Sequence, residues 1–190
     1  MKKIVFMGTP LFAVPILKSI FQKGYEIPLV YTQPPSKSNR GYKLSKSPIH
    51  KFCEENDLKI RTPDNFNNLD DEKNILEKLE ADLALVVAYG QILPESILNV
   101  CKKGFINIHA SLLPKLRGAA PIQRSIMNLD NETGISIMQI NGKLDQGKVY
   151  SQHKIKINKD DNAEDLSLKL SNLAAKKIVD DIEGIFENKK

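Results

Sequence analysis

The run Leu83-Ala84-Leu85-Val86-Val87-Ala88, apolar throughout and preceded by Asp82, constrains this chain more than any other stretch. It is too short to span a bilayer and lacks the alternation of a half-exposed strand, so it reads as a central strand covered on both faces. A covered strand needs helices above and below it, and the flanking sequence alternates strand-like and helix-like runs. Lys3 to Met7 reads as a first strand, and Gly8-Thr9-Pro10 as a turn in which Thr9 caps a helix and Pro10 fits its first turn. That helix carries Phe12, Val14, Ile16, Leu17 and Ile20 and ends at Gly24; Glu26 to Thr32 is the next strand. Residues 33–47, punctuated by Pro34-Pro35 and Ser47-Pro48, read as a long loop rather than an element. Then come a helix from Pro48 to Asn56, a strand near Lys59 to Arg61 and a helix from Asp71 to Leu79. Beyond the apolar run lie a strand from Gly104 to His109 and a helix from Pro121 to Leu129. Strands from Thr133 to Ile140 and Lys148 to Ile157 flank a Gly-rich turn, Asn141 to Gly147. Leu166, Leu170, Leu173, Ile178, Ile182 and Ile185 give an amphipathic helix within Asn162–Phe186. The pattern predicts an α/β fold: a Rossmann-like open, mostly parallel sheet with helices on both faces, in a single domain.

A length of 190 residues, 41% of them hydrophobic and 27% charged, suits one domain with a full core. No apolar stretch of about 18 residues occurs, and Met1-Lys2-Lys3 leads straight into the first strand, leaving no room for a leader. A cytoplasmic protein without a membrane partner is expected. Cys53 and Cys101 lack a CxxC context and read as buried thiols, and His50, His109 and His153 show no metal-ligand spacing, so no metal is expected. The net charge of +5 is a weak pointer to a polyanion. From Gln33 to Lys51, however, Lys37, Arg40, Lys43, Lys46 and Lys51 occur without an acidic residue. A solvated lysine-rich loop and a polyanion contact are both open readings of that stretch. The first strand-to-helix turn carries only Gly8, so the dinucleotide fingerprint and the GxxxxGK[ST] phosphate loop are absent. A ligand is still expected at the carboxyl ends of the strands, where an open parallel sheet leaves a crevice.

Asn107 and His109 stand two apart on a strand, so both side chains leave the same face near that crevice. They could simply bond loop backbone. Asp145, in the turn after a strand that can neighbour theirs, offers a second reading. An amide donor, an imidazole and a carboxylate suit acyl transfer to an amine, which passes through an oxyanion and strips a proton from the attacking nitrogen.

The segment Asn107-Ile108-His109-Ala110-Ser111-Leu112-Leu113-Pro114, followed by Lys115-Leu116-Arg117-Gly118-Ala119-Ala120-Pro121-Ile122-Gln123-Arg124, resembles the signature of folate-dependent formyltransferases. Its RGAAPIQ part is similar to members that act on methionyl-tRNA. Phe6-Met7-Gly8-Thr9-Pro10, Thr32-Gln33-Pro34, Ala88-Tyr89-Gly90-Gln91-Ile92-Leu93-Pro94 and Thr133-Gly134-Ile135-Ser136-Ile137-Met138-Gln139 extend the resemblance over essentially the whole chain. The resemblance implies Asn107, His109 and Asp145 as the catalytic trio and 10-formyltetrahydrofolate as the formyl donor. It implies a pterin held by Ala88, Tyr89, Gly90, Ser111, Leu112, Leu113, Pro114, Asn141 and Gly142, with a cis Leu113-Pro114 bond. The implied acceptor is the α-amine at the acceptor end of initiator methionyl-tRNA, reached by Arg40 with Lys37, Lys43 and Lys46 as phosphate partners. A monomer is expected. The family's DxGLDTG-like loop reads Asn141-Gly142-Lys143-Leu144-Asp145-Gln146-Gly147 here, keeping Asp145 but losing the first acid. The family also carries a C-terminal OB-like barrel that grips tRNA, which these residues do not supply. The alternatives are a sugar-nucleotide or glycinamide-ribonucleotide formyltransferase, and a non-catalytic folate- or RNA-binding remnant.

Overall fold

A computed structural model describes residues 1–38, 43–66 and 69–188. Seven strands form one sheet: β1 (Ile4–Gly8), β2 (Val30–Tyr31), β5 (Ile60–Arg61), β6 (Leu83–Val87), β7 (Phe105–His109), β8 (Glu132–Gln139) and β9 (Val149–Lys156). Their order is β5-β2-β1-β6-β7-β8-β9, and the apolar run is indeed the central strand. Pairing is parallel from β5 to β7 and antiparallel from β7 through β9, the mostly parallel arrangement that the alternation predicts.

Alternation within the strands divides the core in two. Ile4 and Phe6 of β1, Leu83, Leu85 and Val87 of β6, and Ile106 and Ile108 of β7 pack with helices α1 (Val14–Gln22), α2 (Pro48–Glu55) and α5 (Ala163–Phe186). Val5, Met7, Ala84, Val86 and Phe105 belong to a second cluster with Leu76 of α3 (Leu69–Leu79). Helix α5 opens with a reciprocal cap between Asn162 and Asp165. It buries Leu166, Leu170, Ala174, Ile178 and Ile182, one per turn, so its whole length is held by the sheet. Asn107 and His109 emerge on the face opposite α1 and α5, as the period of two requires.

Three local expectations need correction. Residues 33–47 are not loop throughout: β3 (Ser36–Ser38) and β4 (Lys43–Ser45) pair antiparallel as a separate two-stranded sheet. These strands are short and polar, so hydrophobic periodicity gives no sign of them. Thr9 caps no helix. Its hydroxyl donates to the Tyr89 carbonyl at 2.8 Å, and a 3-10 turn, Leu11–Ala13, precedes α1 with Pro10 as its uncapped start. The strand read over Glu26 to Thr32 shrinks to Val30–Tyr31 plus a bridge at Glu26, because Pro28 has no N–H for the ladder.

Candidate active site

Strand β7 sets the site. Val86 of β6 lies opposite Asn107, and Asn107 lies opposite Met138 of β8, so these side chains form a row across three adjacent strands. Beyond β8 the chain turns through residues 141–147 and returns as β9. Gly147 makes that return possible: a Cβ there would sit 1.8 Å from the Gln139 carbonyl oxygen. Within the turn Asp145 adopts φ +48°, and its Oδ2 accepts a 2.7 Å bond from the Gly118 N–H.

This brings Asp145 Oδ2 to 3.6 Å from His109 Nδ1, with the two side chains 12% and 7% exposed. The distance suits a charge interaction but is too long for a hydrogen bond. The other ring nitrogen, Nε2, lies 2.9 Å from the Leu116 carbonyl oxygen. A carbonyl only accepts, so Nε2 carries the hydrogen. One loop, residues 115–120, therefore engages the imidazole through a carbonyl and the carboxylate through an N–H.

A cleft of about 490 Å³ opens beside this pair. Asn107 and Asp145 line it, with Val86 and Met138 from the cross-strand row, residues 88–93 on one side and 140–144 on the other. The Asn107 amide makes no hydrogen bond with a described residue and is available to a ligand. Ala88 at φ +46° and Gly90 at φ +86° bracket Tyr89, whose carbonyl is held by Thr9 and by Gln33 Nε2 at 3.2 Å. The Tyr89 ring packs edge-on against Phe66, and burial raises its phenol above the ordinary value, with the Glu72 charge adding to it.

Of the residues singled out from sequence, Ala88, Tyr89, Gly90, Asn141, Gly142, Asn107 and Asp145 line the cleft, and His109 stands just outside the lining. Ser111, Leu112, Leu113 and Pro114 do not line it. The Ser111 hydroxyl donates to the Lys115 carbonyl and its own carbonyl accepts from the Ser136 hydroxyl. The Leu113 N–H donates to Ser136 Oγ, its carbonyl accepts from Gln152 Nε2, and Leu112 packs toward Gly134. This turn, with a cis Leu113-Pro114 bond, fastens the end of β7 to β8. Lys37 and Lys43 lie on the paired strands β3 and β4, Lys46 pairs with Glu54 at 2.5 Å, and Arg40 lies outside the described residues. Val86, Met138 and Ile140 were not legible as lining residues, since only strand register reveals them; nor were the Leu116 and Gly118 contacts, which use backbone atoms. Among the described residues no group of three or more His, Cys, Asp or Glu is placed to hold a metal, and no helix is long and apolar enough to cross a membrane.

The mostly parallel sheet brings an imidazole, a carboxylate and an amide to a ligand-sized cleft, a set of groups suited to acyl transfer. The formyl transferase family matches residues 1–182, and the chain belongs to that family. It is 62% identical over 188 residues to the methionyl-tRNA formyltransferase of Pelagibacter ubique, covering 99% of this chain and 61% of that one. The methionyl-tRNA formyltransferase of Mycoplasmopsis pulmonis is 43% identical over 97% of this chain and 63% of its own length. The chain thus spans about three fifths of these curated relatives. Among solved structures, phosphoribosylglycinamide formyltransferase from Streptococcus pneumoniae superposes with a TM-score of 0.80 at 17% identity, covering 98% of this chain and 99% of that one. A sugar 3N-formyl transferase, solved in the presence of dTDP and 5-N-formyl-THF, gives a TM-score of 0.71 at 26% identity over 99% of this chain and 64% of that one.

Proposed function

We propose that this chain carries the formyl-transfer site of a methionyl-tRNA formyltransferase, which moves the formyl group of 10-formyltetrahydrofolate to the α-amine of initiator methionyl-tRNA. The observation that carries the reading is the Asp145 carboxylate 3.6 Å from His109, next to a cleft into which Asn107 presents an unbonded amide. The family match, the named relatives and the 5-N-formyl-THF present with the solved sugar 3N-formyl transferase support it.

The donor's pterin occupies the cleft between residues 88–93 and 140–144, with its formyl group toward Asn107. The acceptor nitrogen attacks the formyl carbon, and the carbonyl oxygen becomes an oxyanion that accepts from the Asn107 amide. A preorganised donor of this kind contributes roughly 3 kcal/mol. The nitrogen then loses a proton, the bond from carbon to N10 breaks, and N10 takes a proton; His109, fixed through Nε2 by the Leu116 carbonyl and beside the Asp145 charge, moves these protons through Nδ1. An α-amine with a pKa of about 7.7 to 8.0 is unprotonated in roughly a tenth to a sixth of molecules at pH 7, a fraction that can attack directly without a covalent nucleophile on the protein. Lys37, Arg40, Lys43 and Lys46 on the basic segment meet the acceptor-end phosphates, and Lys46 exchanges Glu54 for RNA when it does so. The protein works in the cytoplasm as a monomer without a metal.

Single-turnover transfer from 10-formyltetrahydrofolate to charged initiator tRNA, an amino-sugar nucleotide and glycinamide ribonucleotide in parallel tests the reading. Formylation of the tRNA alone is expected. Transfer only to either small acceptor would replace the proposed substrate, and no transfer to any of them would leave a binding module.

A further inference from the structure

From residue 96 to residue 129 the sequence has no acidic side chain and five basic ones: Lys102, Lys103, Lys115, Arg117 and Arg124. Lys102 is paired with Asp82 and Lys103 with Asn188. Lys115, Arg117 and Arg124 form no ion pair with a described residue. Lys115 and Arg117 flank Leu116, whose carbonyl holds His109 Nε2, and Gly118 next in line holds Asp145. The loop that bonds both His109 and Asp145 is therefore also a place of uncompensated positive charge.

Its position gives that charge a direction. No residue of 110–120 lines the cleft, although the loop bonds both His109 and Asp145. A nucleophile attacks a planar formyl carbon from above its plane, so donor and acceptor must approach from different directions. With the donor in the cleft, the acceptor comes over residues 115–120. We propose that Lys115 and Arg117 are acceptor-side phosphate contacts that seat the single-stranded 3′ end of a nucleic acid against the loop. This rests on the reading of the acceptor as an aminoacyl-tRNA. Glutamyl carboxylates of a folate are the other anions present, but they belong to the donor on the cleft side.

The test is the salt dependence of binding. Affinity for a fluorescent acceptor-stem RNA hairpin with a single-stranded 3′ end is measured by anisotropy between about 50 and 200 mM salt, beside the KM for 10-formyltetrahydrofolate. Each single-strand phosphate contact contributes about 0.7 to the slope of log affinity against log salt. Lys115→Gln with Arg117→Gln should flatten the slope by about 1.4, so that salt weakens binding roughly sevenfold less over this range. Each single variant should give about half the change, and Lys115→Arg with Arg117→Lys should keep the wild-type slope. An unchanged slope overturns the proposal, as does a rise in folate KM at constant RNA affinity, which would assign the cations to the donor. Failure of the wild-type protein to formylate methionyl-tRNA would sink the functional reading instead, while the RNA slope would still decide the role of the loop.

Discussion

Gly147 is the position where one methyl group should do most damage to the site without touching a polar group in it. Its Cβ in Gly147→Ala would meet the Gln139 oxygen at 1.8 Å and the Gln139 carbonyl carbon at 2.8 Å, against a normal separation of about 3.5 Å. Gln139 cannot withdraw easily, because its N–H bonds the Lys148 carbonyl at 2.8 Å and β8 is paired on both edges. The turn must yield instead, by roughly 1.5 Å on the same contact scale. Added to the 3.6 Å between His109 and Asp145, that movement weakens the attraction between a protonated imidazole and the carboxylate by about 1.4 kcal/mol at an effective dielectric near 20. The resulting rate loss is about tenfold. Overpacking should separately cost about 1 to 3 kcal/mol of stability, a fall of roughly 3 to 10 °C in Tm for a chain of this size. Single-turnover formyl transfer and a thermal melt read the two effects. A wild-type rate with an unmoved Tm would refute the close approach of Gly147 to β8, and with it the placement of Asp145.

Further predictions concern the remaining groups. Asn107→Ala should slow single-turnover transfer by about two orders of magnitude with little change in donor affinity, whereas weaker donor binding at an unchanged rate would make Asn107 a binding residue only. Burial pushes the Cys53 and Cys101 thiols up to about 12. Both should resist a thiol-specific disulfide reagent at pH 8 until the protein is unfolded, and rapid native labelling would contradict their placement. The Lys102 ammonium and then the Lys3 N–H hold the Asp82 carboxyl below its ordinary range. Its stabilisation is therefore complete above the unfolded value of about 3.9 and is lost as pH falls through the lower folded value. Asp82→Asn should lower Tm at pH 7 by more than at pH 3, and a pH-independent difference would count against the interaction.

The architecture was legible wherever burial imposes a period. The uninterrupted run at Leu83 marks a strand covered on both faces, the one-per-turn apolar residues of α5 mark a helix and its buried face, and the spacing of Asn107 and His109 puts both on one face of β7. No such period marks β3 and β4, whose sequences Ser36-Lys37-Ser38 and Lys43-Leu44-Ser45 carry a single apolar residue between them. Among site residues, Asn107, His109 and Asp145 stood out because polar groups at a strand end and in a Gly-rich turn need partners. What escaped was set by register and by backbone. Val86 and Met138 look like any core residues until pairing aligns them with Asn107. The contacts of Leu116 and Gly118 use atoms that every residue possesses. Ser111 to Pro114, implied at the ligand, do not line this cleft; the Ser111 hydroxyl and the backbone groups of Ser111 and Leu113 bond Lys115, Ser136 and Gln152.

The account stands on His109 and Asp145 acting as one unit, and a double-mutant cycle addresses that most directly. Single-turnover transfer to methionyl-tRNA is measured for the parent chain, His109→Ala, Asp145→Ala and the double variant, with folding checked by thermal melts. Each single change should reduce the rate by about 10²- to 10⁴-fold, and the double variant should be no slower than the slower single one. Losses that multiply, or a near-normal rate for either single variant, would show that the two groups do not work together and would contradict the account.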